Sequence, residues 1–267
     1  MTSDSVVRAA LFPIGDLLPP PDGHPDRLVE VAGIPVKLSA EVHDGLVFPE
    51  DVEDFPLHEV LREVRERLQA EERTRGVWMA PEAARPAGLA ERLRALGLTP
   101  HDSAPFEARY ASMAVVTAPP AGPSDVAVKR VANLEELREA ERVAAVAFGM
   151  DEETANAYAA SAERSWQFDS KAGDRATFVA TIDDEVVGFA RAAFGRTAVY
   201  LGGGATHPDF RGRGLYRALV RARWNAAVAR GTPVLTVGAG SMSRPVLERL
   251  GFSIVGWADC LVDDLSA

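Results

Sequence analysis

The sequence predicts an α/β fold on a mixed, twisted sheet, arranged as two related units. Strand-like and helix-like runs alternate through the second half as β-α-α-β-β-β-α-β-α-β. A helix-strand-helix-strand order recurs more faintly in the first half. Between them, near the middle of the 267 residues, lies Ala118-Pro119-Pro120-Ala121-Gly122-Pro123-Ser124. Its three prolines and its glycine remove donors and stop any regular element. The expected units are therefore residues 1–117 and 126–267, joined by a linker at 118–125.

In the first half, Leu57, Leu61, Val64 and Leu68 recur at helical spacing. Gly76–Met79 reads as a strand, Pro86–Leu96 as a helix stopped by Gly97, and Met113–Val116 as a closing strand. After the Pro-rich break, Val126, Val128 and Val131 mark a strand, and Asn133 is placed to cap a helix carrying Leu134, Leu137, Val143, Val146 and Phe148. A second helix covers Glu152–Phe168. Strands follow at Thr177–Ile182, Val186–Phe194 (after an Asp183-Asp184 turn) and Ala198–Thr206. The chain then reads as a helix over Leu215–Ala229 ending at Gly231, a strand at Pro233–Val237, a helix at Arg244–Leu250 stopped by Gly251, and a last strand at Phe252–Val262.

With 47% apolar and 25% charged residues, the composition is that of a globular protein and excludes disordered, collagen-like and coiled-coil classes. A net charge of −10 argues against binding to nucleic acid or an anionic membrane, so only a local basic site would hold anions. Cys260, the sole cysteine, leaves no intrachain disulfide and no Cys-rich metal site, and suits a reducing compartment. Met1 to Leu18 lacks the pattern of a signal peptide, and no run approaches the roughly 18 apolar residues of a membrane span. The expected location is cytoplasmic.

The chemistry concentrates in Gly202-Gly203-Gly204-Ala205-Thr206-His207-Pro208-Asp209-Phe210-Arg211-Gly212-Arg213-Gly214-Leu215-Tyr216-Arg217, which runs from a strand through a glycine-rich turn into a helix. Free N–H groups and the dipole at a helix N-terminus attract anions, and Gly212 and Gly214 let a pyrophosphate approach the main chain. Arg211, Arg213 and Arg217 add cationic donors. No Gly-Lys-Ser/Thr follows, so this is not the loop of nucleotide hydrolases, and it is not Gly-x-Gly-x-x-Gly either.

The Pro-x-x-Arg-Gly-x-Gly-Leu segment resembles motif A of the GNAT superfamily of acyl-CoA N-acyltransferases, Arg/Gln-x-x-Gly-x-Gly/Ala. Val246-Leu247-Glu248-Arg249-Leu250-Gly251-Phe252 is similar to that family's later helix, which ends in Leu-Gly-Phe. The resemblance covers Val126–Val262 and makes the first half a degenerate GNAT-like repeat. It implies a splayed sheet that holds acetyl-CoA, or another acyl-CoA, between the fourth and fifth strands. Carried over by position, Gly204, Ala205 and Thr206 offer main-chain groups to the pantetheine arm and thioester oxygen, and Gly212, Arg213, Gly214, Leu215, Tyr216 and Arg217, with Arg211, hold the pyrophosphate. An acceptor amine, small molecule or peptide, then attacks the thioester directly.

Three residues depart from the family. Tyr216 stands where the motif ends in Gly or Ala, Leu247 where a thiolate-protonating tyrosine is usual, and Gly240 where an asparagine is common. Candidate substitutes as proton donors are Tyr200, Ser243 and Ser241. Set in register with Leu215, Leu57 is preceded by Glu53, Asp54 and Pro56 at the places of Arg211, Gly212 and Gly214, with Glu50 and Asp51 upstream. Carboxylates repel a pyrophosphate, so one cofactor site per chain is expected. The leading expectation is an acetyl-CoA-dependent N-acyltransferase whose first half completes the acceptor pocket or a homodimer contact. The alternatives are a catalytically silent CoA-binding regulatory protein and an enzyme of the same fold with another reaction. A Gly214→Glu variant is expected to abolish binding while leaving the fold.

Overall fold

The computed structural model describes residues 2–39, 44–101 and 107–266. Two helices that the sequence pattern did not announce, α1 (Asp4–Leu11) and α2 (Pro13–Asp16), open the chain. Strands β1 (Arg27–Val31), β2 (Ile34–Leu38) and β3 (Asp44–Val47), also unannounced, precede α3 (Leu57–Ala70), β4 (Arg75–Pro81), α4 (Leu89–Ala95), a two-residue β5 (Thr99–Pro100) and β6 (Arg109–Val115). The second half comprises β7 (Ala127–Arg130), α5 (Leu134–Phe148), α6 (Glu152–Ala172), β8 (Arg175–Ile182), β9 (Glu185–Phe194) and β10 (Val199–Thr206). A 3₁₀ turn at Pro208–Phe210 leads to α7 (Leu215–Ala229), β11 (Leu235–Ala239), α8 (Arg244–Arg249) and β12 (Ser253–Asp264). The element order of the second half is the expected one.

Local chemistry sets most of these boundaries. The Asn133 side chain accepts from Glu136 N–H at 3.0 Å while the Glu136 carboxylate accepts from Ala132 N–H at 2.8 Å, a reciprocal cap for α5. Asp151 caps α6 in the same way, accepting from Thr154 N–H at 2.7 Å. The helix expected from Pro86 begins only at Leu89, because Gly88 turns the chain through φ +73° just before it. The closing strand of the first half begins at Arg109, four residues before the expected Met113, since β11 and β12 pair along its whole length.

All strands join one mixed sheet in the order β1-β2-β3-β4-β12-β6-β11-β10-β9-β8-β7, with β5 beside β12. The closing strands are exchanged between the halves. Strand β6, from the first half, runs antiparallel to β11 of the second, with Met113 opposite Val237. Strand β12, from the second half, runs antiparallel to β4 of the first, with Cys260 opposite Met79.

On one face of the second half, Leu215, Leu219 and Trp224 of α7 and Leu247 of α8 pack over Phe178, Ala190, Leu201 and Val237. On the other, α5 and α6 cover Val179 and Phe189. In the first half, α3 and α4 bury Val64, Leu68 and Leu93 against Ile34, Val36 and Trp78. The arm formed by α1 and α2 crosses the face opposite α7. Val6 and Ala10 pack on Ala114, and the Asp16 carboxylate accepts from Thr197 and Ala198 N–H at 2.9 and 3.1 Å.

Candidate active site

Strands β10 and β11 run parallel but pair through only two positions, Val199 with Leu235 and Tyr200 with Thr236. Beyond these the strands part, and β11 continues against β6 alone. On its other edge β10 pairs with β9, but the register slips: Leu201 faces Ala192 and Gly204 faces Ala190, so Gly202 and Gly203 together oppose Arg191. This is a β-bulge, and it flips the strand. Leu201 belongs to the core beneath α7, whereas Ala205, four residues on, packs with the cluster beneath α5. The flip also reorients the backbone. His207 N–H donates to Val187 O at 2.8 Å. By the alternation of an antiparallel ladder Ala205 points the same way, and Gly204 and Thr206 direct their N–H groups to the unpaired edge.

One residue that the sequence reading missed supports this bulge. Arg223, in the third turn of α7, is fully buried. It donates to Arg191 O at 3.2 Å, the carbonyl opposite the bulge, and to Leu219 O at 3.1 Å. Burial pushes its pKa down, partly opposed by the Tyr216 ring and hydroxyl. Tyr216 packs half-buried against the main core, with the Arg223 guanidinium 5.9 Å from its ring centre.

At the exit of β10 the chain forms the turn that leads into α7. Gly212 and Gly214 adopt φ +80° and +79°, and Gly214 is the residue before the helix. The first backbone groups of a helix have no partner within it. Among the described residues, no hydrogen bond engages the N–H groups of Gly212 through Arg217. Arg211, Arg213 and Arg217 are exposed around them. Arg211 reaches Ala147 O at 3.3 Å, Arg213 lies 3.5 Å from the Asp125 carboxylate, and Arg217 makes no ion pair or hydrogen bond with the described residues. A Cβ on Gly212 would meet nothing within 4 Å, so the turn is open there. Gly214 is different, because a Cβ would come within 2.7 Å of Pro123 in the linker. Gly214→Glu thus perturbs the fold as well as any ligand, contrary to expectation, and arginine substitutions are the cleaner probes.

The candidate proton donors separate. Tyr200 stands at the last paired position before the strands part. Burial pushes its pKa up, offset in part by the Gly238 backbone facing its oxygen. Ser243 Oγ donates to Gly240 O at 3.4 Å, while Ser241 is held by Glu107, whose carboxylate accepts from Ser241 N–H at 2.8 Å and from its hydroxyl at 3.1 Å. Glu107 enters from the first half, just before β6, and no local pattern in the chain marks it. It also explains Gly240, where any Cβ would run into that carboxylate. Leu247 is fully buried in the core and carries no chemistry. So is Cys260, whose thiol burial pushes up to about 12. His207 accepts from Asp209 N–H at 3.4 Å in the turn.

On the face opposite α7, a chamber of about 580 Å³ adjoins Tyr200 and Gly202. Its floor is β8 to β10, with Thr177, Arg191 and Tyr200. Its walls are Leu137 and Trp166 of α5 and α6, Phe48 beyond β3, and Ile14 and Leu17 of the N-terminal arm. Arg191 is held by the buried Glu141 through two 2.7 Å contacts. His24 joins the arm to α6, with Nε2 3.3 Å from Asp169, whose pKa burial pushes up.

The corresponding place in the first half is closed. Strands β3 and β4 pair through four positions, and beyond them Val52 N–H donates to Arg85 O at 2.9 Å while Arg85 N–H donates to Glu50 O at 2.9 Å. Arg85 also pairs with the Asp51 carboxylate. Helix α3 begins after Pro56, which has no N–H to offer. Among the described residues there is no cluster suited to a metal ion, and no helix is long and apolar enough to cross a membrane.

A parallel pair splayed beside a bulge, with open backbone N–H groups at a helix start and a chamber on the opposite face, makes a cleft suited to an extended anionic ligand. The sequence profile of the acetyltransferase (GNAT) family matches residues 134–252, which places a GNAT domain within the second half of the chain. No curated protein sequence matches the chain. Among solved structures, a GCN5-related N-acetyltransferase from Kribbella flavida is 20% identical over 97% of this chain and 95% of its own, with a TM-score of 0.67. Another, from Sphaerobacter thermophilus, is 16% identical over 87% and 76%, at 0.63. A tandem GNAT protein from the clavulanic acid biosynthesis pathway is 14% identical over 88% and 79%, at 0.61. The whole chain therefore has a GNAT fold, and the tandem arrangement recurs among its structural neighbours.

Proposed function

We propose that the protein transfers an acyl group, acetyl in the simplest case, from an acyl-CoA to a primary amine bound in the chamber. The observation that carries this reading is the order of three features along β10 and its exit: the chamber at Tyr200 and Gly202, the splay from β11 beyond Tyr200, and the open N–H groups of the Gly212–Arg217 turn. Gly212 through Arg217, with Arg211, would hold the pyrophosphate. Gly204 and Thr206 N–H would face the pantetheine arm and the thioester oxygen. The bound donor supplies a thioester carbon: the amine forms a C–N bond there, the C–S bond breaks, the amine loses a proton and the thiolate gains one.

Tyr200 is the donor for that thiolate. Its raised pKa keeps the phenol protonated at neutral pH, and it stands where the strands part. Arg223 holds the carbonyl opposite the bulge, which keeps the β10 N–H groups turned to the open edge. In this reading residues 1–117 and 126–267 are two units joined by 118–125. The first has lost its own cleft and serves the second by closing the chamber and supplying Glu107.

The test is binding followed by turnover. CoA at a hundred times its Kd adds about 2.7 kcal/mol, which raises Tm by roughly 5–10 °C. Thiol release with an acyl-CoA and a panel of primary amines then separates an enzyme from a silent binder. Binding with no release on any amine leaves the silent CoA-binding protein, which Leu247 and Gly240 would then mark. No Tm shift with CoA or acetyl-CoA removes both.

A further inference from the structure

A second, smaller cavity of about 90 Å³ opens at Tyr200 and Gly238, the two residues that flank the parting strands. From there it runs beneath the N-terminal arm across β6, β12 and β4, between Leu11, Phe12 and Ile14 on one side and Phe48, Met79 and Ala258 on the other. It differs in chemistry from the chamber, which carries Arg175, Arg191 and Asp169 on its lining. Here the carboxylate is Glu50, paired with Arg8, and the Tyr110 oxygen already accepts from Glu107 N–H at 2.8 Å.

We propose that this cavity receives the alkyl chain of the acyl donor, and that the preferred donor carries an acyl group of about four carbons rather than acetyl. The inference rests on the acyl-transfer reading above. Position is the first argument: Tyr200 and Gly238, which line the cavity, stand on the two strands where the cleft opens, so a thioester held there has the cavity within reach of its acyl chain. Polarity is the second, since an alkyl chain directed into the chamber would meet charged groups that include Arg130, Arg175, Arg191, Asp26 and Asp169. Size is the third. At about 30 Å³ for a water-sized group, and a methylene is similar, the space takes roughly three carbons beyond the carbonyl. The arm that roofs the cavity is anchored at both ends, by Val6 and Ala10 on Ala114 and by Asp16 on the β9–β10 hairpin, so the space is built into the fold.

The experiment measures binding and thiol release on the full chain with CoA, acetyl-, propionyl-, butyryl-, hexanoyl- and octanoyl-CoA. Burying each methylene tightens binding about fourfold, so affinity rises about fifteenfold from acetyl to butyryl and falls again by octanoyl. Ala258→Leu, which fills the cavity, returns the preference to acetyl, and Met79→Ala, which enlarges it, moves the optimum to longer chains. If the leucine variant is too unstable to assay, the alanine variant alone decides. Acetyl-CoA binding tightest, or chain-length preference unmoved in the assayed variants, overturns the proposal. A filled cavity that raises only the KM of the amine also overturns it, because the acceptor would then occupy the space. Failure of CoA and every acyl-CoA to bind would instead remove the acyl-transfer reading itself.

Discussion

Arg217 is the most informative residue of the proposed cofactor turn, because among the described residues it alone of the three arginines has no partner to give up. Arg211 is spent in part on Ala147 O and Arg213 on Asp125, at 3.3 and 3.5 Å. A charge-assisted contact contributes about 1.5–3 kcal/mol, and exposure to solvent reduces this to about 1–2 kcal/mol. Arg217→Ala should therefore weaken CoA five- to thirtyfold, and Arg213→Ala at most about threefold, since removing it also relieves a competing carboxylate. Neither side chain is buried, so the Tm of the free protein should stay within about 2 °C. Calorimetric titration with CoA at low and high salt is the assay, and the difference between wild type and Arg217→Ala should shrink as salt screens the contact. Affinity unchanged within twofold, or a larger loss from Arg213→Ala, would refute the placement of the anion at this turn.

Other consequences follow from the same geometry. Tyr200→Phe keeps the ring and should leave CoA affinity unchanged while slowing thiol release about ten- to a hundredfold; the lower end of the general-acid range applies because a thiol near pKa 8.5 is already a fair leaving group. Gly240→Asn should destabilise the wild-type protein, yet cost little in a Glu107→Ala background, since the clash is with that carboxylate; denaturant midpoints for the four members of the cycle would expose additivity if the contact is absent. Burial pushes Cys260 and Tyr110 up to about 12. The folded state thus keeps protons that the unfolded chain releases from about pH 9 and 10, and stability is lost as pH rises from there toward 12. Cys260→Ala removes one of these groups, so its Tm should fall less steeply above pH 9, and parallel curves would contradict the burial.

Much of the second half was legible because its signals are local. Asn133 caps its own helix, Gly214 starts α7 at Leu215, and alternating apolar residues define β8, β9 and β10. The glycine run at Gly202–Gly204 marked a place where the backbone does something unusual, although the bulge itself depends on how β9 pairs with it. In the first half, the absence of an open glycine turn before α3 was equally visible in Glu53, Asp54 and Pro56. Strands β1 to β3 are only four or five residues long, and although Ile34, Val36 and Leu38 alternate through β2, Pro35 within that run counts against a strand.

The sequence by itself determined the elements of the second half, the glycine-rich turn and the departures at Tyr216, Gly240 and Leu247, since each is a property of residues within a few positions of one another. Tertiary structure decided which edges meet. The exchange of β6 and β12, the Glu107 carboxylate at Ser241, the Arg223 contact beneath the bulge and the arm across the chamber all join residues distant in the chain. Helical and strand periodicity report which face of an element is buried, and carry no information about which partner buries it.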